Sequence, residues 1–269
     1  MPTTVPFFLV DAFARTPFTG NPAGVVILNN ELPSALMQSI AMEMNQAETA
    51  FALKTKTGWN LRWFTPGVEV DLCGHATVAT AAALWDHGAA EKGKTIEFET
   101  RSGKLNASPR GDEIELNFPA TPPAPTGAVP GLLESLGLTS ATYIGRSRFD
   151  LLVEVENEPI VRSLKPDMPS LAKVDVRGVM VTAKSASPDY DFVSRFFAPA
   201  AGVNEDPVTG SAHCCLAPYW ATKLCKNPLL GYQASPRGGF VAVEVVNDRV
   251  LLRGGYRVIV RGDLAIAVG

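Results

Sequence analysis

The stretch Asp71 to Trp85, DLCGHATVATAAALW, limits what this chain can fold into more than any other segment. It follows an extended run ending in Phe64, Thr65 and Pro66, and passes through Gly74 into small, helix-forming residues. Ala76, Ala79, Ala81, Ala82 and Ala83 predict a helix so thin that neighbours can pack on every side, the form expected of a helix inside a shell of strands. Its first turn offers free N–H groups and the positive end of the helix dipole, which suit an anionic group. Taken alone, the stretch is equally well read as a core helix that happens to start at a glycine.

A second copy shifts the balance. Gly210 to Trp220, GSAHCCLAPYW, follows Phe197, Ala198, Pro199 and the loop AAGVNEDPVT as the first helix follows Phe64, Thr65 and Pro66. Gly74 and Gly210, Ala76 and Ala212, Arg101 and Arg237, Gly103 and Gly239, and Asp112 and Asp248 are each 136 positions apart. Each copy runs glycine, small-residue helix, strand, R-x-G turn, strand, Asp-containing turn, strand. The chain therefore reads as two related halves, each built on one buried helix.

At 269 residues there is room for two cores, in domains of about 100 to 150 residues each. A net charge of -3 provides no basic stripe for a nucleic-acid backbone. No apolar run approaches the ~18 residues of a membrane span, and MPTTVPFFLVDAFA has no basic leader, so a cytoplasmic address is the expectation. Cys73, Cys214, Cys215 and Cys225 sit in or beside helices, two of them adjacent, and are expected as reduced thiols.

Along the first half, strands are expected at Val5 to Phe13, Ala23 to Leu28, Thr49 to Lys54, Trp59 to Phe64, Lys94 to Thr100, Lys104 to Ser108 and Glu113 to Phe118. The FTGNP turn joins the first two. Pro33 starts an amphipathic helix through Leu36, Met37, Ile40, Ala41 and Met44, which Asn45 ends. Residues 1–118 form the first domain in this reading, completed by 256–269. Pro119 to Pro130 is a stiff, extended linker, and 131–255 form the second domain. That domain is expected to hold a helix at Leu132 to Leu136, helical turns around Leu164 and Leu171, and strands near Thr142 and at Leu151 to Val155, Gly178 to Ala183, Asp191 to Phe197, Gly231 to Ala234, Phe240 to Val246 and Val250 to Arg253. A last strand runs from Arg257 to Val260.

FTGNPAGVV, NQAETAF, FTPGVEVDLCGHATVA and NEDPVTGSAH occur in this order, and with them nearly the whole chain resembles the phenazine-biosynthesis isomerase family, the PhzF-like proteins. The resemblance implies an α/β fold of two pseudo-symmetric diaminopimelate epimerase-like domains, each a barrel-like, mostly antiparallel sheet around a central helix, with the site in the cleft between them. It carries acid/base roles to Glu48, His75, Asp206 and Ser211, and substrate binding to Asn21, Asp71, Cys73, Gly74, Thr209 and Gly210. It further implies a homodimer, a small carboxylate substrate, and chemistry with neither metal nor organic cofactor.

The residues fit that chemistry. Moving a proton at carbon without a cofactor needs a base poised near neutral pH, and Glu48, beside Ala47, Thr49, Ala50 and Phe51, is the carboxylate in the most apolar local setting. A strand-end Glu facing water is the ordinary alternative. His75 lies in a first helical turn, where the dipole favours neutral imidazole. Asp206 or Thr209 reads equally as an N-cap.

In the two-base epimerases and racemases that share the fold, a Cys precedes the Gly at both helix starts. Here the pair is Cys73 and Thr209, so isomerisation by one carboxylate is favoured over stereoinversion by two thiols. Cys214 and Cys215 lie deeper in their helix, where packing is the better reading. His75, His87 and His213 show no zinc spacing, and no nucleotide-binding motif occurs. The remaining alternatives are a catalytically silent scaffold on the same fold and an epimerase or racemase using Cys73. Loops Arg146 to Asp150 and Ser185 to Tyr190 are expected to choose the substrate.

Overall fold

A computed structural model describes residues 3–266; the expectations for Met1, Pro2 and the tail 267–269 lie outside the described residues. The chain divides into two compact units, Met1–Asn117 with Arg253–Gly269, and Phe118–Leu252.

The first unit opens with an antiparallel hairpin, β1 (Thr3–Ala12) and β2 (Asn21–Leu28). Its turn depends on Gly20, at φ +72°, where a Cβ would come within 2.2 Å of the Ala12 carbonyl oxygen. Helix α1 (Ser34–Met44) ends at Asn45 in the left-handed conformation, a residue that tolerates it. Then follow β3 (Glu48–Lys54), β4 (Trp59–Phe64) and the short β5 (Glu69–Val70). Next come α2 (Gly74–His87), β6 (Ile96–Thr100), β7 (Gly103–Arg110) and β8 (Glu113–Pro119).

Parallel pairing joins β2 to β3 and β4 to β6, while β3–β4, β6–β7 and β7–β8 are antiparallel. The ring is completed by the last strand of the chain, β17 (Arg249–Ile266), which pairs with β1 on one side and β8 on the other. Eight strands thus close on themselves, leaving no free edge.

Every residue of α2 from His75 to Trp85 is buried, and only a run of small side chains permits that on all faces of a helix. Its hydroxyls turn inward on their own backbone, Thr77 to the Cys73 carbonyl and Thr80 to that of Ala76, each at 2.6 Å, so both are satisfied without water. Outside the barrel, α1 buries Met37, Ile40 and Ala41 against Val26, Phe51 and Phe64. With both faces covered, β2 reads as an almost continuous apolar run.

The second unit repeats the plan. Its elements are β9 (Ala124–Pro125), α3 (Leu132–Leu136), β10 (Tyr143–Arg146), β11 (Asp150–Glu154), α4 (Glu158–Ser163), α5 (Met168–Leu171), β12 (Gly178–Lys184), β13 (Phe192–Ala198), β14 (Val203–Asp206), α6 (Gly210–Leu224), β15 (Leu229–Gln233) and β16 (Gly239–Val246). Parallel pairs β11–β12 and β13–β15 echo β2–β3 and β4–β6. Strand β14 pairs with β13 as β5 does with β4. The bounds of β7 and β16, and the starts of β8 and β17, differ by the same 136 positions found in the sequence.

Helix α6 contains Pro218, which has no N–H to give the Cys214 carbonyl. The backbone N–H of Thr121 donates to that carbonyl instead, at 3.0 Å. Part of the Pro-rich stretch is thereby tied down, and β9 within it pairs with β10, where only an extended connection was expected. Three further details differ from the sequence reading. NED of the expected loop AAGVNEDPVT belongs to β14, the turn expected around Leu164 is a helix already complete at Ser163, and the two last strands are one.

Candidate active site

In the first unit, the parallel register sets Ala23 opposite Glu48, so β2 and β3 begin at the same end of the sheet, with Asn21 and Glu48 as their first residues. That end carries the start of α2. Cys73 occupies its N-cap position in an extended conformation, with no side-chain hydrogen bond to the first turn.

His75 Nε2 lies 3.2 Å from Glu48 Oε2. On the other edge of the ring, Nδ1 lies 3.2 Å from Asn21 Nδ2 and 3.5 Å from Cys73 Sγ. Nδ1 thus faces the Asn21 amide and the Cys73 thiol, while Nε2 faces the carboxylate. Burial pushes the His75 pKa down to about 3, because desolvation disfavours the charged ring. The contact is therefore between a neutral imidazole and a carboxylate. Asn21 is fully buried, while the Glu48 side chain keeps 19% of its exposure, which leaves the carboxylate approachable. Glu48, Cys73, His75 and Asn21 thus come together. Asp71 does not join them: its side chain is 75% exposed and turned towards Arg101.

In the second unit, Asp206 ends β14 and Thr209 takes the N-cap position of α6. Thr209 is thus the N-cap residue, one of the two expected, though its side chain makes no hydrogen bond to the first turn. The Thr209 hydroxyl instead donates to Asp206 Oδ2 at 2.5 Å. Buried Gln233 fastens the loop: its Oε1 accepts from the Thr209 N–H, and its Nε2 donates to the Asp206 carbonyl and to Thr209 Oγ1. His213 adds a bond from Nδ1 to the Thr209 carbonyl at 2.8 Å. The loop is thus shaped by residues distant in sequence, and the first turn of α6, with Gly210 and Ser211, remains uncapped.

Ser211 carries a contact that the sequence did not announce. Arg177 Nη2 donates to Ser211 Oγ at 3.0 Å while the same guanidinium grips the buried carboxylate of Asp150 in a two-pronged pair. Arg177 also stacks over Phe149 and Phe196. With the Arg donating to Oγ, the hydroxyl proton of Ser211 is free to point elsewhere. Gly210 and Ser211 stand 136 positions after Gly74 and His75. Arg177 immediately precedes β12, much as Glu48 opens β3, so Arg177 on Ser211 is the counterpart of Glu48 on His75. The Arg146 to Asp150 segment accordingly reaches the start of α6 through Asp150. The Ser185 to Tyr190 loop is fastened to Glu158, which accepts from the Ala186 N–H and the Tyr190 hydroxyl.

All four cysteines are unpaired by disulfides. Burial pushes Cys214 and Cys215 up to about 12, so both are inert packing residues.

The closed barrel around a buried helix is the diaminopimelate epimerase-like architecture. A predicted epimerase from Pseudomonas aeruginosa shares the fold with TM-score 0.77 at 20% identity, covering 98% of this chain and 100% of that one. Closer likeness identifies the family. The model for phenazine biosynthesis-like proteins, PhzC-PhzF, matches residues 10–266. A protein from Halalkalibacterium halodurans named as an uncharacterized isomerase is 50% identical, with 98% of this chain and 99% of that one covered. The crystal structure of a PhzF-family protein from Enterococcus faecalis superposes with TM-score 0.93 at 41% identity, covering 98% and 100%. The chain belongs to the PhzF-like family, whose relatives are named isomerases.

Proposed function

We propose that this protein is a cofactor-independent isomerase that moves a proton between two positions of a small carboxylate-bearing substrate. The observation that carries the reading is the contact of Glu48 with a neutral, buried His75. In this reading Glu48 takes the proton from carbon and returns it. His75, itself held by Asn21, packs its Nε2 edge against the carboxylate and limits the orientations open to the base.

Negative charge that develops on the substrate is offered uncapped helix N-termini, where free N–H groups and the dipole favour anions. The same reading assigns Asp206, Thr209, Gly210 and Ser211 of the second unit to the same substrate, and a homodimer in the cytoplasm. Cys73 serves as a polar neighbour of His75 rather than a second base, because its counterpart at the other helix start is Thr209. The test is a screen of small carboxylic acids in D2O. The expected result is deuterium incorporation at carbon that persists after chelation and without added nicotinamide, flavin or pyridoxal cofactor. Turnover lost on metal removal and restored by one metal would refute cofactor independence.

A further inference from the structure

Arg177 stands just before β12, and its guanidinium is only partly used by the fold. Parallel pairing sets Asp150, the first residue of β11, opposite Gly178, so a carboxylate that is 2% exposed lies beside the arginine. Nε and Nη2 donate to its two oxygens, and Nη2 also donates to Ser211 Oγ. Nη1 makes no hydrogen bond among the described residues, and the side chain keeps 42% of its exposure. We infer that Arg177 is a substrate-binding residue, whose Nη1 edge and the Ser211 hydroxyl together hold an oxygen of the substrate's carboxylate.

The planarity of the guanidinium fixes where that oxygen goes. Asp150 occupies the Nε side of the fork, so the Nη2 N–H that reaches Ser211 is the one on the Nη1 side, and an N–H of Nη1 runs parallel to it. An oxygen accepting from Nη1 therefore lies next to Ser211 Oγ. The Ser211 proton is not engaged by Arg177, which itself donates, and is free to point at the same oxygen.

The fork is also held in place before any ligand arrives. Asp150 grips it from one side, and the rings of Phe149 and Phe196 lie 5.2 and 5.9 Å from Cζ. Gly178 permits this packing, since a Cβ there would come within 2.3 Å of the Phe196 ring. The rotamer freedom of a long side chain is thus lost on folding rather than on binding. Asp150 offsets the charge, yet it sits on the far side of the guanidinium, so the charge nearest to an incoming carboxylate is positive. Phe149, 43% exposed, belongs to the Arg146 to Asp150 loop expected to choose the substrate, and it offers an apolar wall to the carbon that carries the carboxylate. That this carboxylate belongs to a substrate rests on the function proposed above; the contact itself needs no turnover.

The test is a binding experiment on the full-length chain with 15N-labelled arginine. Sodium benzoate is the probe and benzamide its neutral counterpart. Benzoate should move the Arg177 side-chain resonances saturably, with a Kd of about 1 to 100 mM, and benzamide should bind at least about tenfold more weakly. Arg261, which holds Asp86 in the same two-pronged way with no hydroxyl partner among the described residues, should not respond. Arg177→Lys keeps a positive charge beside Asp150 but loses the parallel N–H pair, and should weaken benzoate at least about tenfold while leaving benzamide unchanged. Ser211→Ala leaves the Arg177–Asp150 pair intact and should weaken benzoate about three- to tenfold at a wild-type denaturation midpoint. No saturable shift at Arg177, equal affinity for benzoate and benzamide, or wild-type benzoate affinity in Ser211→Ala would each overturn the assignment. If benzoate binds as expected yet no carboxylic acid exchanges deuterium, Arg177 stands as a carboxylate-binding residue and the isomerase reading falls.

Discussion

Lowering the pH from 7.5 to 5.5 should destabilise this protein through two buried imidazoles, and the size of the effect follows from their surroundings. Burial pushes His75 down to about 3 and His213 to about 4, from an ordinary 6.5. Below 6.5 the unfolded chain takes up protons at both rings while the folded chain does not. The stabilising contribution is therefore complete above 6.5 and shrinks as the pH falls towards the folded values. At pH 5.5, one unit below the unfolded value, each ring costs about 1.4 kcal/mol, or about 3 kcal/mol for the pair.

His213→Asn isolates one of them, because an amide nitrogen can replace Nδ1 in the bond to the Thr209 carbonyl. Denaturant unfolding at the two pH values should show wild type losing about 1.4 kcal/mol more than this variant. Equal losses would refute the reasoning, and so would imidazole resonances of either residue titrating near 6.5.

Three further outcomes are expected. Ala82→Leu, in the fully buried α2, should cost about 1 to 3 kcal/mol or more by overpacking, whereas Ala35→Leu on the exposed side of α1 should stay within about 0.5 kcal/mol; comparable denaturation midpoints would contradict a helix packed on all sides. Cys73→Ser should keep deuterium exchange within about tenfold, and iodoacetamide should label Cys225 well before Cys73, which is buried; rapid alkylation of Cys73 with near-complete loss of activity in the variant would make the thiol the base. Arg177→Met strands the Asp150 carboxylate, which is 2% exposed, and should destabilise by about 3 kcal/mol; the double variant with Asp150→Asn should recover most of that in the same unfolding assay, and failure to do so would deny the pair its structural role.

Much of the architecture is written in local residue choice. The alanines of α2 announce a helix without an exposed face, Asn45 marks the end of α1, and the constant offset between Gly74 and Gly210 reappears in the bounds of β7 and β16. What escaped depends on long-range packing. Gly254 and Gly255 read as a break between two strands, yet β17 runs straight through them. A Cβ at Gly254 would meet Phe13 at 2.3 Å, and the Gly255 carbonyl accepts from the Ala14 N–H, so these glycines permit close approach rather than a turn.

The candidate site divides the same way. Glu48, His75, Asp206 and Ser211 stand in motifs whose local sequence marks them, whereas the partners that orient them do not. Gln233 fixes Thr209 from 24 residues away, and Arg177 reaches Ser211 across 34. Nothing in either residue's neighbourhood signals the contact. The internal repeat sets Ser211 where the first half has His75, but its constant offset does not reach back to Arg177.

The central claim, that Glu48 carries the proton, is tested most directly by deuterium incorporation from D2O into the substrate by Glu48→Gln. The amide has the size and shape of the carboxylate and stays partly exposed, so the fold and its denaturation midpoint should be unchanged. Exchange should fall by about 10² to 10⁴, which is about 3 to 5 kcal/mol of lost transition-state stabilisation. Exchange within about tenfold of wild type, in a variant that unfolds at the same denaturant concentration, would contradict the assignment of Glu48 as the base.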